Sequence, residues 1–401
     1  MPRTTLRPRL LTGSERVSAP ARNTIRMAAH CIGPLDEARM RVAWEMVGRE
    51  VPGLAGTIRS SGSDYVFAAR ADRAGRLIHA DGPATGDELS AHLRLDEIDC
   101  VAALELAPAG EDAHVVSLLF RHSIADGRHG IYAFSRFWEL YTDLVGGNDA
   151  PATRDPMHAC SLEAALDERT IPNADARAPD VSSPPVYHGE RDWDGKQLSG
   201  LCHGQLRLER SATDRLIGRC KADSTSLHGV ISAAVILSLS ESRADLREFD
   251  LTTILDVRPH MEPPMHPLGG TTILGYSTSK LDVASNPDVV SIARIVLENL
   301  ERDIRSGYAQ ASSVVNAELE NAGATPTTLS NLGVVPTFAH PPGLRFTDFT
   351  AWNEMDIANP GSPHVLPVYG NMIVASSFGG RLRLDFFHGR EMFPSDWTAR
   401  K

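Results

Sequence analysis

Residues Ala113 to Gly127 read Ala-His-Val-Val-Ser-Leu-Leu-Phe-Arg-His-Ser-Ile-Ala-Asp-Gly, and this stretch decides how the rest of the chain is read. The run Val115 to Phe120 is too short for a helix and rich in strand formers, which predicts a buried strand. It breaks at Arg121-His122-Ser123-Ile124-Ala125-Asp126-Gly127. Asp-Gly is a turn signal because glycine tolerates positive φ. Beyond it Ile131, Phe134, Trp138, Tyr141 and Val145 recur at helical spacing, and Gly146-Gly147-Asn148 closes that helix. His122 therefore sits at a strand end, with the Asp126 carboxylate four positions on, before a helix. Reacting groups in α/β proteins collect at strand ends. The His-x-x-x-Asp-Gly spacing alone is weak, since a structural histidine beside an ordinary turn aspartate explains it equally well.

A chain of 401 residues suggests two domains, and 42% apolar residues can fill two cores. The net charge of −11 argues against non-specific nucleic-acid binding. The cysteines, Cys31, Cys100, Cys160, Cys202 and Cys220, are scattered and contain no Cys-x-x-Cys pair. That fits a reducing compartment without structural zinc. No His-Glu-x-x-His exists, so no metal is expected. No Gly-x-Ser-x-Gly elbow exists either, which argues against a serine hydrolase. The N-terminus lacks an apolar stretch of signal-peptide length, and the most apolar segment, Val230 to Leu239, is too short for a membrane span. The expectation is a soluble, cytoplasmic protein.

Residues 1–22 read as an arm. Asn23 to Cys31 alternates like a half-buried strand, and Asp36 is a candidate N-cap for a helix faced by Met40, Ala43 and Val47. Asp99 to Leu106 pairs naturally with His114 to Phe120. This gives a first subdomain over 1–147. Prolines at 151, 156, 172, 179, 184 and 185 mark residues 148–200 as a connection. The second subdomain, 201–401, opens with a strand at Gly204 to Glu209. Ser226 to Glu241 is a helix apolar nearly all round, hence buried. Leu251 to Val257 and Thr271 to Ser277 are strands. Asn286-Pro287 starts a helix whose inner stripe is Ile292, Val296, Leu300 and Ile304. Val365 to Ser376 and Arg381 to Phe387 are strands near the end.

Several stretches together resemble the condensation-domain and BAHD acyltransferase superfamily. His122-Ser123-Ile124-Ala125-Asp126-Gly127 resembles its His-x-x-x-Asp-Gly motif. Thr225 to Ala234 looks like the long helix of its second half. Asp256-Val257-Arg258-Pro259-His260-Met261-Glu262-Pro263-Pro264 is similar to its Asp-x-Arg…Pro-Pro stretch. Leu329-Ser330-Asn331-Leu332-Gly333 resembles the Ser-Asn-x-Gly strand of stand-alone bacterial polyketide-associated acyltransferases, the branch this sequence looks most like. The resemblance implies an α/β fold of two chloramphenicol acetyltransferase-like subdomains, with mixed sheets flanked by helices and an active-site channel between them. Condensation domains usually carry two adjacent histidines, whereas this chain has Arg121 at the first position; the BAHD branch manages with the second alone. The plant branch's Asp-Phe-Gly-x-Gly loop is not evident.

The resemblance implies transfer of an acyl group from a coenzyme A or carrier-protein thioester to a hydroxyl of a polyketide, lipid or related acceptor. Such a reaction needs a base for the hydroxyl proton. An unperturbed histidine titrates near pH 6.5, and a positioned base contributes about 10²–10⁴-fold in rate. His122 is assigned that role. The tetrahedral oxyanion needs donors, and Ser330 and Asn331 are candidates by resemblance, the other reading being a polar turn. Asp126 is implied to pair with Arg258 rather than to complete a triad, the other reading of Arg258 being an exposed strand end. Gly127 serves backbone geometry. His228 could face the channel or simply pack, while His129 and His203 are structural or surface residues. Beyond the thioester co-substrate no bound cofactor is expected. An acyl or peptidyl carrier protein and a small-molecule acceptor are the expected partners of a monomer. Two other readings stay open: an amide-forming condensation enzyme of the same fold, and a non-catalytic member that binds a carrier protein or intermediate, with Arg121 marking lost activity.

Overall fold

The computed structural model describes residues 8–80, 95–148, 151–171, 201–242, 248–283, 285, 288–318, 327–354 and 371–389. The chain forms two compact units. Unit 1 comprises Met1–Glu168, Met265–Ile273 and Val335–Asp356; unit 2 comprises Arg169–Pro264, Leu274–Val334 and Ile357–Lys401. Each has a sheet flanked by helices, as expected. Division by chain order therefore differs from division by compactness, because two segments from the second half of the sequence fold into unit 1.

Unit 1 is built on a five-stranded sheet. Strands are numbered along the whole chain, and this sheet contains β2 (Thr24–Ile32), β5 (Leu77–His79), β6 (Ala102–Gly110), β7 (Ala113–Arg121) and β12 (Arg345–Glu354), in the order β12-β2-β7-β6-β5. β7 is the predicted strand. It lies at the centre, antiparallel to β2 and β6, and all of Val115 to Phe120 is buried. Both faces are covered, which is why the run is continuously apolar instead of alternating. Helix α2 (Glu37–Glu50) starts at the expected cap, with the Asp36 carboxylate accepting from Arg39 N at 3.0 Å. Its Met40, Ala43 and Val47 are fully buried.

Helix α3 (Gly127–Val145) follows β7 directly. Its predicted stripe, Ile131, Phe134, Trp138 and Tyr141, is buried, while Val145 at the frayed end is only half-buried. Phe134 packs on Phe338 at 5.2 Å between ring centroids, and Trp138 meets Phe346 edge-on at 4.8 Å. The returning segment 335–356 thus completes the aromatic core. Gly130 lets the helix lie close on the strand: a Cβ there would come within 2.5 Å of the Phe120 ring.

The N-terminal arm is more integrated than expected. Arg9–Leu10 forms strand β1, which pairs with β4 (Asp64–Ala69), itself paired with β3 (Gly56–Ser61). Glu15, fully buried in the short helix Gly13–Arg16, accepts from both terminal nitrogens of Arg9 and from the Thr271 hydroxyl.

Unit 2 contains a six-stranded mixed sheet of β8 (Leu201–Leu208), β9 (Glu248–Asp256), β10 (Leu274–Asp282), β11 (Thr327–Val334), β13 (Asn371–Phe378) and β14 (Arg381–Gly389), in the order β10-β9-β11-β13-β14-β8. Ile231, Ile236 and Leu239 on the predicted apolar helix Leu227–Ser242, with Ile292 and Val296 on the helix Val289–Arg305, pack against Leu251, Leu329, Ile373 and Leu384 of the sheet. Two expectations change here. The cap of the helix Val289–Arg305 is Asp288, which accepts from Val290 N and Ser291 N, each at 3.0 Å; Asn286-Pro287 lies outside the described residues. The strand expected at Thr271 begins only at Leu274, because Thr271 to Ile273 bond within unit 1. Residues 172–200 of the proline-rich connection and Val365 to Gly370 also lie outside the described residues.

Candidate functional site

His122 follows the last residue of β7. Its N–H donates to Asn23 O at 2.8 Å, and its carbonyl accepts from the Thr272 hydroxyl at 2.5 Å. Nδ1 lies 3.2 Å from the main-chain oxygen of Ala125. A carbonyl oxygen can only accept, so this bond requires the proton on Nδ1. That choice leaves the Nε2 lone pair unprotonated in the neutral ring, and Nε2 has no hydrogen-bond partner among the described residues. The residue is half-buried, and protein atoms crowd its ring. Desolvation lowers its pKa below 6.5, with the Asp126 charge and the Ala125 carbonyl pulling weakly the other way. A neutral imidazole with one free lone pair is the form a general base needs.

Asp126 is fully buried and is the N-cap of α3, accepting from His129 N at 3.0 Å. Its second oxygen accepts from Ile273 N at 2.9 Å. Gly127 is the first helical residue, so the chain breaks at a capped helix start rather than at the positive-φ turn expected from Asp-Gly. Arg121 is buried at the other side of His122. Its guanidinium donates to Arg22 O at 2.8 Å and to the Thr24 hydroxyl at 3.0 Å, and it pairs with Asp96. The residue replacing the usual first histidine thus fastens the end of β7. His129, fully buried, is structural, with Nδ1 2.9 Å from Gly270 O.

Sequence reasoning missed the part that Gly270 to Ile273 plays. The segment touches His122, Asp126 and His129 through three separate bonds. The sequence offered only a strand pattern from Thr271 to Ser277, which carries no sign of these contacts.

The candidates of the second half lie in unit 2. Arg258 is almost fully buried in a short 3₁₀ turn and donates to Asp256 at 3.0 Å, so it is no exposed strand end. Asp126 accepts from His129 N and Ile273 N, and Arg258 donates to Asp256. Ser330 and Asn331 lie within β11, half-buried, rather than in a turn between strands. The strand's register shifts after Asn331, whose Oδ1 accepts from Gly333 N at 2.9 Å. That leaves the Asn331 amide group as its donor. His228 hydrogen-bonds through Nε2 to the Thr253 hydroxyl at 3.0 Å, and burial depresses its pKa to about 4. His203 pairs with Asp385, which also bonds Arg383. Among the described residues no group of His, Cys, Asp and Glu has metal-binding geometry, and no single helix is long and apolar enough to cross a membrane.

Two sheet-and-helix units, with a lone histidine at the end of a central strand just before a capped Asp-Gly helix start, define the condensation-domain-like acyltransferase class that the sequence resembles. Comparison with known proteins bears this out. Residues 201–387 match the family model described as "Phthiocerol/phthiodiolone dimycocerosyl transferase C-terminus". The phthiocerol/phthiodiolone dimycocerosyl transferase of Mycobacterium tuberculosis is 25% identical over 394 residues, covering 92% of each chain. The fold is that of the polyketide synthase associated protein 5 from Mycobacterium tuberculosis, with a TM-score of 0.76, 21% identity, and coverage of 98% of this chain and 95% of that one. The first condensation domain of the calcium-dependent antibiotic synthetase matches with a TM-score of 0.65 and 15% identity over 99% and 94% of the two chains. The trichothecene 15-O-acetyltransferase from Fusarium sporotrichioides gives 0.66 and 12% over 98% and 95%. The chain accordingly has the two-subdomain fold of these proteins and is an acyltransferase, similar to proteins of polyketide and lipid synthesis.

Proposed function

We propose that this protein moves an acyl group from a coenzyme A or carrier-protein thioester to the hydroxyl of a polyketide, lipid or related acceptor, with His122 as general base. The observation that carries the reading is the bond from His122 Nδ1–H to Ala125 O, which leaves Nε2 as the basic nitrogen. Nε2 removes the hydroxyl proton as the oxygen attacks the thioester carbonyl. The tetrahedral intermediate then collapses, the C–S bond breaks, and the thiolate recovers the proton from Nε2. The Ser330 hydroxyl and the Asn331 amide are the proposed oxyanion donors; removing one such donor costs about 10²–10³ in kcat. Attack is direct, since the neighbouring Ser123 has no base of its own and no cysteine adjoins His122. Asp126 supports the geometry as a helix cap. The relatives named as transferases and the neighbour named as an O-acetyltransferase favour oxygen as the acceptor atom. The protein would work as a cytoplasmic monomer on a small-molecule acceptor.

The test uses octanoyl-CoA with 1-octanol and, separately, with octylamine, following thiol release and product mass. The expected result is ester formation by the wild type, reduced about 10²–10⁴-fold in His122→Ala. Equal turnover by the two proteins would remove His122 as the base. An amide product alone would move the enzyme to the peptide-forming branch.

A further inference from the structure

We propose that Thr272 is a positioning residue for His122, and that its hydroxyl on the His122 carbonyl sets which ring nitrogen is the base. The inference rests on the acyl-transfer reading and adds a residue to its machinery. It starts from how His122 is held. Only two main-chain groups fix the backbone at this position: the N–H, donated to Asn23 O at 2.8 Å, and the carbonyl, which accepts from Thr272 Oγ1 at 2.5 Å. The carbonyl of Ala125, which orients the ring through Nδ1, lies three residues on in the same turn. A change in the His122 carbonyl plane therefore moves the ring and its acceptor relative to each other.

The segment bearing Thr272 is rigidly held. Thr271 N donates to Cys160 O at 2.9 Å, and Cys160 N donates to Gly269 O at 2.9 Å. The Thr271 hydroxyl donates to Glu15 Oε1 at 2.8 Å. Next to Thr272, Ile273 N binds the Asp126 carboxylate, and Gly270 O binds the His129 ring. Gly270 has no room for a side chain, because a Cβ would run into Ile273. Thr271 and Thr272 thus face opposite anchors. The first ties the segment to the N-terminal arm, and the second reaches the histidine. Thr272 is itself buried, so water cannot readily replace its hydroxyl as the donor.

The test compares Thr272→Val, which keeps the shape and removes the hydroxyl, with Thr272→Ser, which keeps the hydroxyl. Two readouts are taken on the full-length protein: octanoyl transfer to 1-octanol, and the ¹⁵N spectrum of the His122 ring, assigned by its loss in His122→Gln. Thr272→Val should lower kcat about ten- to hundredfold with KM little changed, as expected for a small misplacement of the reacting group. Its His122 spectrum should change from a single Nδ1–H form to a mixture of tautomers. Thr272→Ser should restore both. An unchanged nitrogen pattern in Thr272→Val would overturn the proposal, as would a serine variant as impaired as the valine. Should His122→Ala turn over at the wild-type rate, the base assignment falls, and the nitrogen pattern alone still decides whether Thr272 holds the ring.

Discussion

Two histidines, one in each unit, have their charged forms disfavoured by burial, yet they are wired in opposite senses. His122 gives Nδ1 to a carbonyl and keeps Nε2 unengaged among the described residues. His228 spends Nε2 on the Thr253 hydroxyl, and its pKa is pushed to about 4. Desolvation alone therefore does not make a base. It keeps an imidazole neutral, and the partner of the other nitrogen decides whether the lone pair is available. His122 also stands at a strand end, where the chain turns, while His228 lies in a helix laid against its sheet.

The largest expected difference between them is in turnover. His122→Ala should lose about 10²–10⁴-fold in kcat, while His228→Gln, which can still bond Thr253, should stay within about threefold. Steady-state rates with octanoyl-CoA and 1-octanol decide it. A large loss at His228 with an intact His122 would invert the assignment.

The two should also separate on the pH axis. The folded state depresses both pKa values below the unfolded 6.5, so each ring binds fewer protons when folded. Their contributions to stability are fully present above pH 6.5 and are lost as pH falls toward the folded values. For His228 the window is pH 6.5 to about 4, and the contribution is at most about 3 kcal/mol. Denaturant unfolding from pH 7 to 4 should show a shallower loss in His228→Gln than in the wild type. The acid limb of kcat/KM, by contrast, belongs to His122, should lie below pH 6.5, and should not move in His228→Gln.

The same contrast shows what was legible in the sequence. β7, the helix after it and the aromatic stripe could be read because a buried strand and an amphipathic helix impose local periodicities. The position of His122 came with them. Its surroundings did not. Thr272 reaches His122 from 150 residues away and Ile273 reaches Asp126 from 147, and no local pattern encodes such contacts. Asp126 looked like a turn residue because an N-cap and a turn favour the same side chain; only the helical conformation of Gly127 distinguishes them. Arg121 read as a departure from a motif, whereas its buried bonds to Arg22, Thr24 and Asp96 make it part of the frame.

Arg121 offers a structural way to sharpen the comparison. Arg121→Met keeps the length and volume but removes the guanidinium's bonds to the Arg22 carbonyl, which still accepts from the Thr24 hydroxyl, and to the Thr24 oxygen. The expected loss is about 2 kcal/mol, since Asp96 is partly exposed and can be resolvated. Unfolding midpoints measure it. Activity should fall less than in His122→Ala, because the Asn23 and Thr272 bonds to His122 remain. If the two variants were equally inactive, the arginine would have to act on more than the strand end.

The smallest effect is expected at Thr253. Thr253→Val removes the partner of His228 Nε2 without changing side-chain volume much. A neutral imidazole that loses one buried hydrogen bond costs about 1 kcal/mol, visible as a small drop in unfolding midpoint at pH 7. The pKa of His228 should stay well below 6.5, because burial, not the hydroxyl, lowers it. Turnover should not change, since His228 takes no part in the proposed acyl transfer. A gain or loss of acyl transfer in Thr253→Val would mean that His228 takes part in the chemistry, and that the wiring of the nitrogens does not separate the two rings.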